Sequence, residues 1–124
     1  YQRLVTGHAI SLLVIANPSQ NSCQTVGFSE QWCDPTVDQP FRYGGSVGPV
    51  RLATEFVLDM EEAAKFVTTQ LKLVGLVAID YVISGTTPYF IEINPRPSAT
   101  LDLFDTADGA LLKGHIAACR GEPT

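Results

Sequence analysis

The sequence predicts an α+β domain, an antiparallel β-sheet packed against helices. Three observations predict it. Two runs rich in Val, Ile, Tyr and Phe, Leu76–Ile83 and Tyr89–Asn94, flank the turn-forming stretch Ser84-Gly85-Thr86-Thr87-Pro88, the pattern of a hairpin. From Arg51 the apolar period changes from two residues to three and four, as a helix with one buried stripe requires. Apolar residues make up 45% of the 124 and charged ones 17%, which suits one domain with a single core and excludes a disordered chain.

The chain opens with two apolar runs, Tyr1–Thr6 and Ala9–Ala16, separated by Gly7-His8, which predict a first hairpin. Asn17–Asn21 is a polar turn, and Ser22–Phe28 returns as a third strand. Residues from Gln31 to Val50 hold Pro35, Pro40, Pro49 and the glycines of Tyr43–Gly48, and read as irregular, with Trp32 and Cys33 at the core edge. The glycines invite a phosphate-loop reading, but no Lys-Ser or Lys-Thr follows; a substrate-side loop and a plain connection both fit. A helix over Met60–Val74 follows, with Asp59 and Glu62 as a capping box and Gly75 as its stop. Its stripe is Phe56, Met60, Ala63, Ala64, Val67, Leu71 and Val74. After Pro97, Ser98–Phe104 predicts a short helical turn. Ala107–Cys119 predicts a last helix with Leu111, Leu112, Ile116 and Cys119 inward and Gly121 as its stop. His8 and His115 read as a turn residue and a helix-surface residue without partners.

Composition removes several classes of function. A net charge of −5 with only eight Lys and Arg, dispersed, argues against a nucleic-acid surface. No run reaches the ~18 apolar residues of a membrane span. Three cysteines with no CxxC fit reduced thiols and a cytoplasmic setting better than a disulfide framework. Ten of the thirteen carboxylates lie after residue 50, so the polar chemistry belongs to the second half.

The central hairpin holds that chemistry. Strand side chains alternate, so Ala78, Asp80 and Val82 share one face, as do Phe90, Glu92 and Asn94. Val77, Ile79, Tyr81 and Ile83, with Tyr89, Ile91 and Ile93, form the opposite, apolar face. A three-residue loop, Gly85-Thr86-Thr87, pairs Ser84 with Pro88 and Asp80 with Glu92. A two-residue loop would set Asp80 against Ile91, on the wrong face. Opposed carboxylates at about 4.5–5.5 Å between Cβ atoms repel unless a positive charge lies between them. With Asn94 one pleat further, three oxygen donors make a nest suited to Mg²⁺. Arg96, stiffened by Pro95 and Pro97, stands where it can fork onto a phosphate. A solvated acidic face ending in an Asn-Pro turn would carry the same residues.

Asp80, Glu92 twelve residues later, and the run Glu92-Ile93-Asn94-Pro95-Arg96-Pro97 resemble the metal and phosphate end of the ATP-grasp superfamily. The resemblance implies that Asp80, Glu92 and Asn94 bind the Mg²⁺ (Mn²⁺ as an alternative) of MgATP and that Arg96 assists the transferred phosphoryl group. It implies an ATP-dependent ligase that joins a small carboxylate to an amine, or to a thiol, through an acyl phosphate. The opening residues also resemble that family's hinge strand, which would set Gln2, Arg3, Leu4 and Val5 beside the adenine; an ordinary edge hairpin fits them equally. Residues 1–124 then correspond to one C-terminal ATP-grasp subdomain, expected to be a fragment, because nothing here resembles the half that supplies phosphate-clamping lysines. Ala78 departs from the dipeptide-ligase branch, which carries Arg two residues before the first metal carboxylate. GLVAIDYV and FIEINPRPSATLD resemble carboligase-like members, some of which attach glutamate to an amine in one-carbon cofactor synthesis. A non-catalytic α+β interaction module is the competing expectation.

Overall fold

The computed structural model describes residues 2–124. Five strands and two helices follow in the order β1 (His8–Asn17), β2 (Ser22–Cys33), β3 (Tyr43–Val47), α1 (Thr54–Gln70), β4 (Gly75–Ser84), β5 (Thr87–Asn94) and α2 (Ala110–Cys119). Single 3₁₀ turns lie at Pro18–Gln20 and Leu101–Leu103. The strands form one sheet in the order β3-β2-β1-β4-β5, with every neighbouring pair antiparallel.

The period of two in β1 and β4 divides the core between the two faces of the sheet. Ile10, Leu12, Val14 and Ala16 from β1, with Val77, Ile79, Tyr81 and Ile83 from β4, pack under Met60 and Ala64 of α1. Met60, Ala64 and Thr68, four residues apart, are the buried line of that helix. On the other face Leu13, Ile15, Leu76 and Ala78 meet Ala118, with Leu101, Phe104 and Leu111 at the margin. This second core spans only one end of the face. Beyond Leu13 and Ala78 the same face continues as Ser11 and Asp80, and polar chemistry begins where the cover of α2 stops.

Several expectations are corrected. Gln2–Thr6 forms no strand, so the first hairpin is β1 with β2; Tyr1 lies outside the described residues. The segment from Gln31 to Val50 is not wholly irregular, because β2 runs on to Cys33 and β3 pairs with it. The glycines of β3 make room for an indole: a Cβ on Gly44 would lie 2.5 Å from the Trp32 ring and one on Gly45 2.7 Å from it. Trp32 itself is 49% exposed and does not close the core.

Helix α1 begins six residues before Met60, with Ala53 as an N-cap that offers no side-chain bond. Leu52 and Val57, at the two hydrophobic-staple positions, both pack on the core and fix this start. Asp59 and Glu62 therefore lie inside the helix. Its left-handed stop is Lys72, at φ 53, where Leu73 N–H bonds Thr68 O and Lys72 N–H bonds Thr69 O in a Schellman arrangement. Gly75 opens β4 instead, and Leu71 and Val74 are exposed. In α2, Leu112, Ile116 and Cys119 face outward. His115 turns inward, where Nδ1 accepts the Leu76 N–H at 3.0 Å; His8 lies in β1, 3.2 Å from Glu30. Gly121, at φ 71, does stop α2.

Candidate functional site

The β4–β5 hairpin turns on two residues, Gly85-Thr86, with Gly85 supplying the positive φ of 61, and Ser84 faces Thr87. Continued without interruption, this register would oppose Asp80 to Ile91. A β-bulge intervenes between Asp80/Tyr81 on one side and Phe90/Glu92 on the other, with Ile91 as the extra residue, and Asp80 comes to face Glu92. The expected pairing therefore forms by a route other than the three-residue loop. The bulge also moves Phe90 to the face of Tyr81, whose ring it meets edge-on at 5.6 Å, instead of to the face of Glu92.

Asp80, Glu92, Asn94 and Arg96 come together on the uncovered face. Asn94 Nδ2 donates to Asp80 Oδ2 at 3.1 Å and to Glu92 Oε1 at 2.9 Å. One amide nitrogen thus lies between two carboxylates, the position a cation would take. Asn94 Oδ1 accepts from Arg96 Nη2 at 3.4 Å, so the arginine lies just beyond. Two carboxylates and an amide oxygen are a hard-oxygen set that fits Mg²⁺ or Mn²⁺, and Asn94 must turn its amide over to present Oδ1. Among the described residues no cluster of three or more His, Cys, Asp or Glu occurs, so a three-donor set at this place would have to take in Asn94.

Burial pushes the Asp80 carboxyl above the ordinary aspartate value, and the Glu92 charge pushes the same way. Hydrogen bonds from Ser11 and Gln31 oppose the rise. The side chains enclose a cleft of about 240 Å³, lined by Glu92, Asn94 and Arg96 together with Tyr43, Ser98 and Thr100. A neighbouring hollow of about 200 Å³ has an apolar floor of Ala9, Val82 and Ile91.

The four hinge residues are placed less tightly. Gln2 Nε2 donates to Ile91 O at 3.0 Å, so the bulged residue beside Glu92 is held by the opening segment. Arg3 and Leu4 are exposed and Val5 is half-buried. Sequence reasoning missed Ser11 and Gln31, both partners of Asp80. Ser11 carried a signal, a single hydroxyl within the apolar run Ala9–Ala16. Gln31 carried none, because it reaches Asp80 from two strands away.

The ATP-grasp domain family model matches residues 1–100. The carbamoyl phosphate synthase large chain of Myxococcus xanthus is 32% identical over 71 residues, 57% of this chain and 7% of that protein. The formate-dependent phosphoribosylglycinamide formyltransferase of Syntrophotalea carbinolica is 26% identical over 118 residues, 94% of this chain and 28% of that protein. A biotin carboxylase–β-γ-ATP complex from Campylobacter jejuni superposes with TM-score 0.77 and 16% identity, over 99% of this chain and 27% of that one. N5-carboxyaminoimidazole ribonucleotide synthetase from Thermus thermophilus gives 0.76 and 20%, over 98% and 32%. The two structures share the fold, and the chain spans less than a third of the length of each of these proteins. With residues 1–100 matched, including Asp80, Glu92, Asn94 and Arg96, the chain belongs to the ATP-grasp domain family.

Proposed function

We propose that this chain supplies the cation-binding and phosphoryl-side face of an ATP-dependent ligase that joins a small carboxylate to an amine through an acyl phosphate. The observation that carries the reading is the Asn94 amide nitrogen bridging Asp80 and Glu92 at 3.1 and 2.9 Å. Mg²⁺ held by Asp80, Glu92 and Asn94 would neutralise charge on the β- and γ-phosphates of ATP. Arg96 offers its guanidinium to the equatorial oxygens of the transferring group, and its long 3.4 Å contact to Asn94 is one it can give up. The 240 Å³ cleft beside Arg96 has room for a small acid. No nucleophilic side chain is needed, because the substrate carboxylate is the nucleophile; the work of the protein is positioning and charge balance.

In this reading residues 1–124 are the C-terminal half of an ATP site, Gln2–Val5 run beside the adenine, and the lysines that hold the triphosphate come from outside them. The formate-dependent relative supports a small acid as the activated group. Glutamate addition to an amine in one-carbon cofactor assembly is the finer form of the proposal. The test is isotopic. The protein carrying this domain is incubated with ATP, an ¹⁸O-labelled carboxylate and an amine, and ¹⁸O is sought in the released phosphate. Label in phosphate is expected; product formed without it would remove the acyl phosphate from the scheme.

A further inference from the structure

We infer that Gln31 is a positioning residue for the Asp80 carboxylate, holding Oδ1 so that Oδ2 is presented toward Glu92 and Asn94. The inference rests on the reading of Asp80 as a cation ligand. Gln31 lies on β2 and Asp80 on β4, with β1 between them. It is paired with Ala9, which is paired with Val82, so its side chain leaves the sheet on the Asp80 face. Ala9 has only a methyl there, and the longer glutamine extends across it to donate from Nε2 to Asp80 Oδ1 at 3.3 Å. Asn94 holds the other oxygen, Oδ2, at 3.1 Å. Beside the Ser11 hydrogen bond, these two donors divide the carboxylate: Oδ1 is tied on the β2 side, and Oδ2 is left for the shared position between the acids.

The residue type matters as much as the reach. Glutamine orients a carboxylate without neutralising it, whereas Lys or Arg at the same point would cancel the charge and compete with the cation. Glu30, the preceding residue, is paired with Ile10 and belongs to the opposite face, which makes it a matched control.

Mn²⁺ binding to this chain, followed by electron paramagnetic resonance, and thermal melting in EDTA test the assignment together. Gln31→Met keeps length and removes the donor; Mn²⁺ affinity should fall about tenfold with the EDTA melting temperature unchanged. Gln31→Lys should abolish Mn²⁺ retention while raising the EDTA melting temperature, a combination that structural damage cannot produce. Glu30→Gln should change affinity by less than about threefold. Wild-type affinity in Gln31→Met, or retained Mn²⁺ binding in Gln31→Lys, overturns the positioning role. If the unmodified chain itself holds no Mn²⁺ at millimolar concentration, the cation reading fails, and the role of Gln31 falls with it.

Discussion

At the scale of single residues, the site is a repulsive pair held together by one amide. Asp80 and Glu92 face each other, and Asn94 Nδ2 lies between them, donating to both. The raised Asp80 value has a definite sign in stability. Where the folded chain holds its proton more tightly than the unfolded one, stability falls as pH rises. The contribution of Asp80 is therefore greatest below the ordinary value of 3.8 and is lost as pH climbs through that value to the raised one. Urea melts of the metal-free chain should lose part of this slope in Asp80→Asn, and an unchanged slope would assign it to other groups. Glu92→Gln removes the opposing charge while keeping shape. It should leave the metal-free chain at least as stable by urea melting, and in the protein carrying this domain cut phosphoryl transfer by about 10²-fold or more.

At the scale of elements, α1 offers a separate prediction. Lys72 holds a left-handed backbone at φ 53, where a side chain costs energy and glycine costs little. Lys72→Gly should stabilise the chain by roughly 0.5–1 kcal/mol, whereas Gly121→Ala, at φ 71 after α2, should destabilise it by about 1 kcal/mol, both by urea titration. These two stops also show what was legible. Gly121 announced the end of α2 by its residue type, while Lys72 gave no sign of left-handed backbone. The hairpin was legible because its period of two is set by residue type along each strand. The bulge at Ile91 was not, because an extra residue alters pairing without altering composition. Asp80 and Glu92 were found opposite each other because both belong to the uncovered face, although a compensating bulge, and not loop length, aligns them. The start of α1 escaped because Ala53 carries no cap, and Asp59 with Glu62 imitated one within the helix. Gln31 escaped for a topological reason: its partner is 49 residues away and reachable only once β1 separates β2 from β4.

At the scale of the whole molecule, one sheet has two unlike faces, and their difference limits what the chain can do alone. The α1 face is closed over its core, whereas the Asp80 face is closed only where α2 and the Leu101–Leu103 turn cover it. What remains open includes adjoining hollows of about 240 and 200 Å³ along the sheet. Ligand sites that bind tightly enclose about 70–90% of the ligand surface. ATP on this face would be contacted from one side only. Charge works the same way: among the described residues lining these two hollows, Arg96 is the only base, beside Asp80 and Glu92. Without a divalent cation the local field repels a triphosphate; with one, a single arginine remains to balance its oxygens. The 124-residue chain should therefore bind MgATP no more tightly than about 1 mM, near −4 kcal/mol, and release no phosphate from it. Calorimetric titration with MgATP beside a phosphate-release assay decides the matter. Micromolar binding would mean that Gln2–Val5 and the apolar floor of Ala9, Val82 and Ile91 hold the nucleotide far better than their exposure allows; turnover would mean that Arg96 and the cation suffice to balance the transferring phosphoryl group.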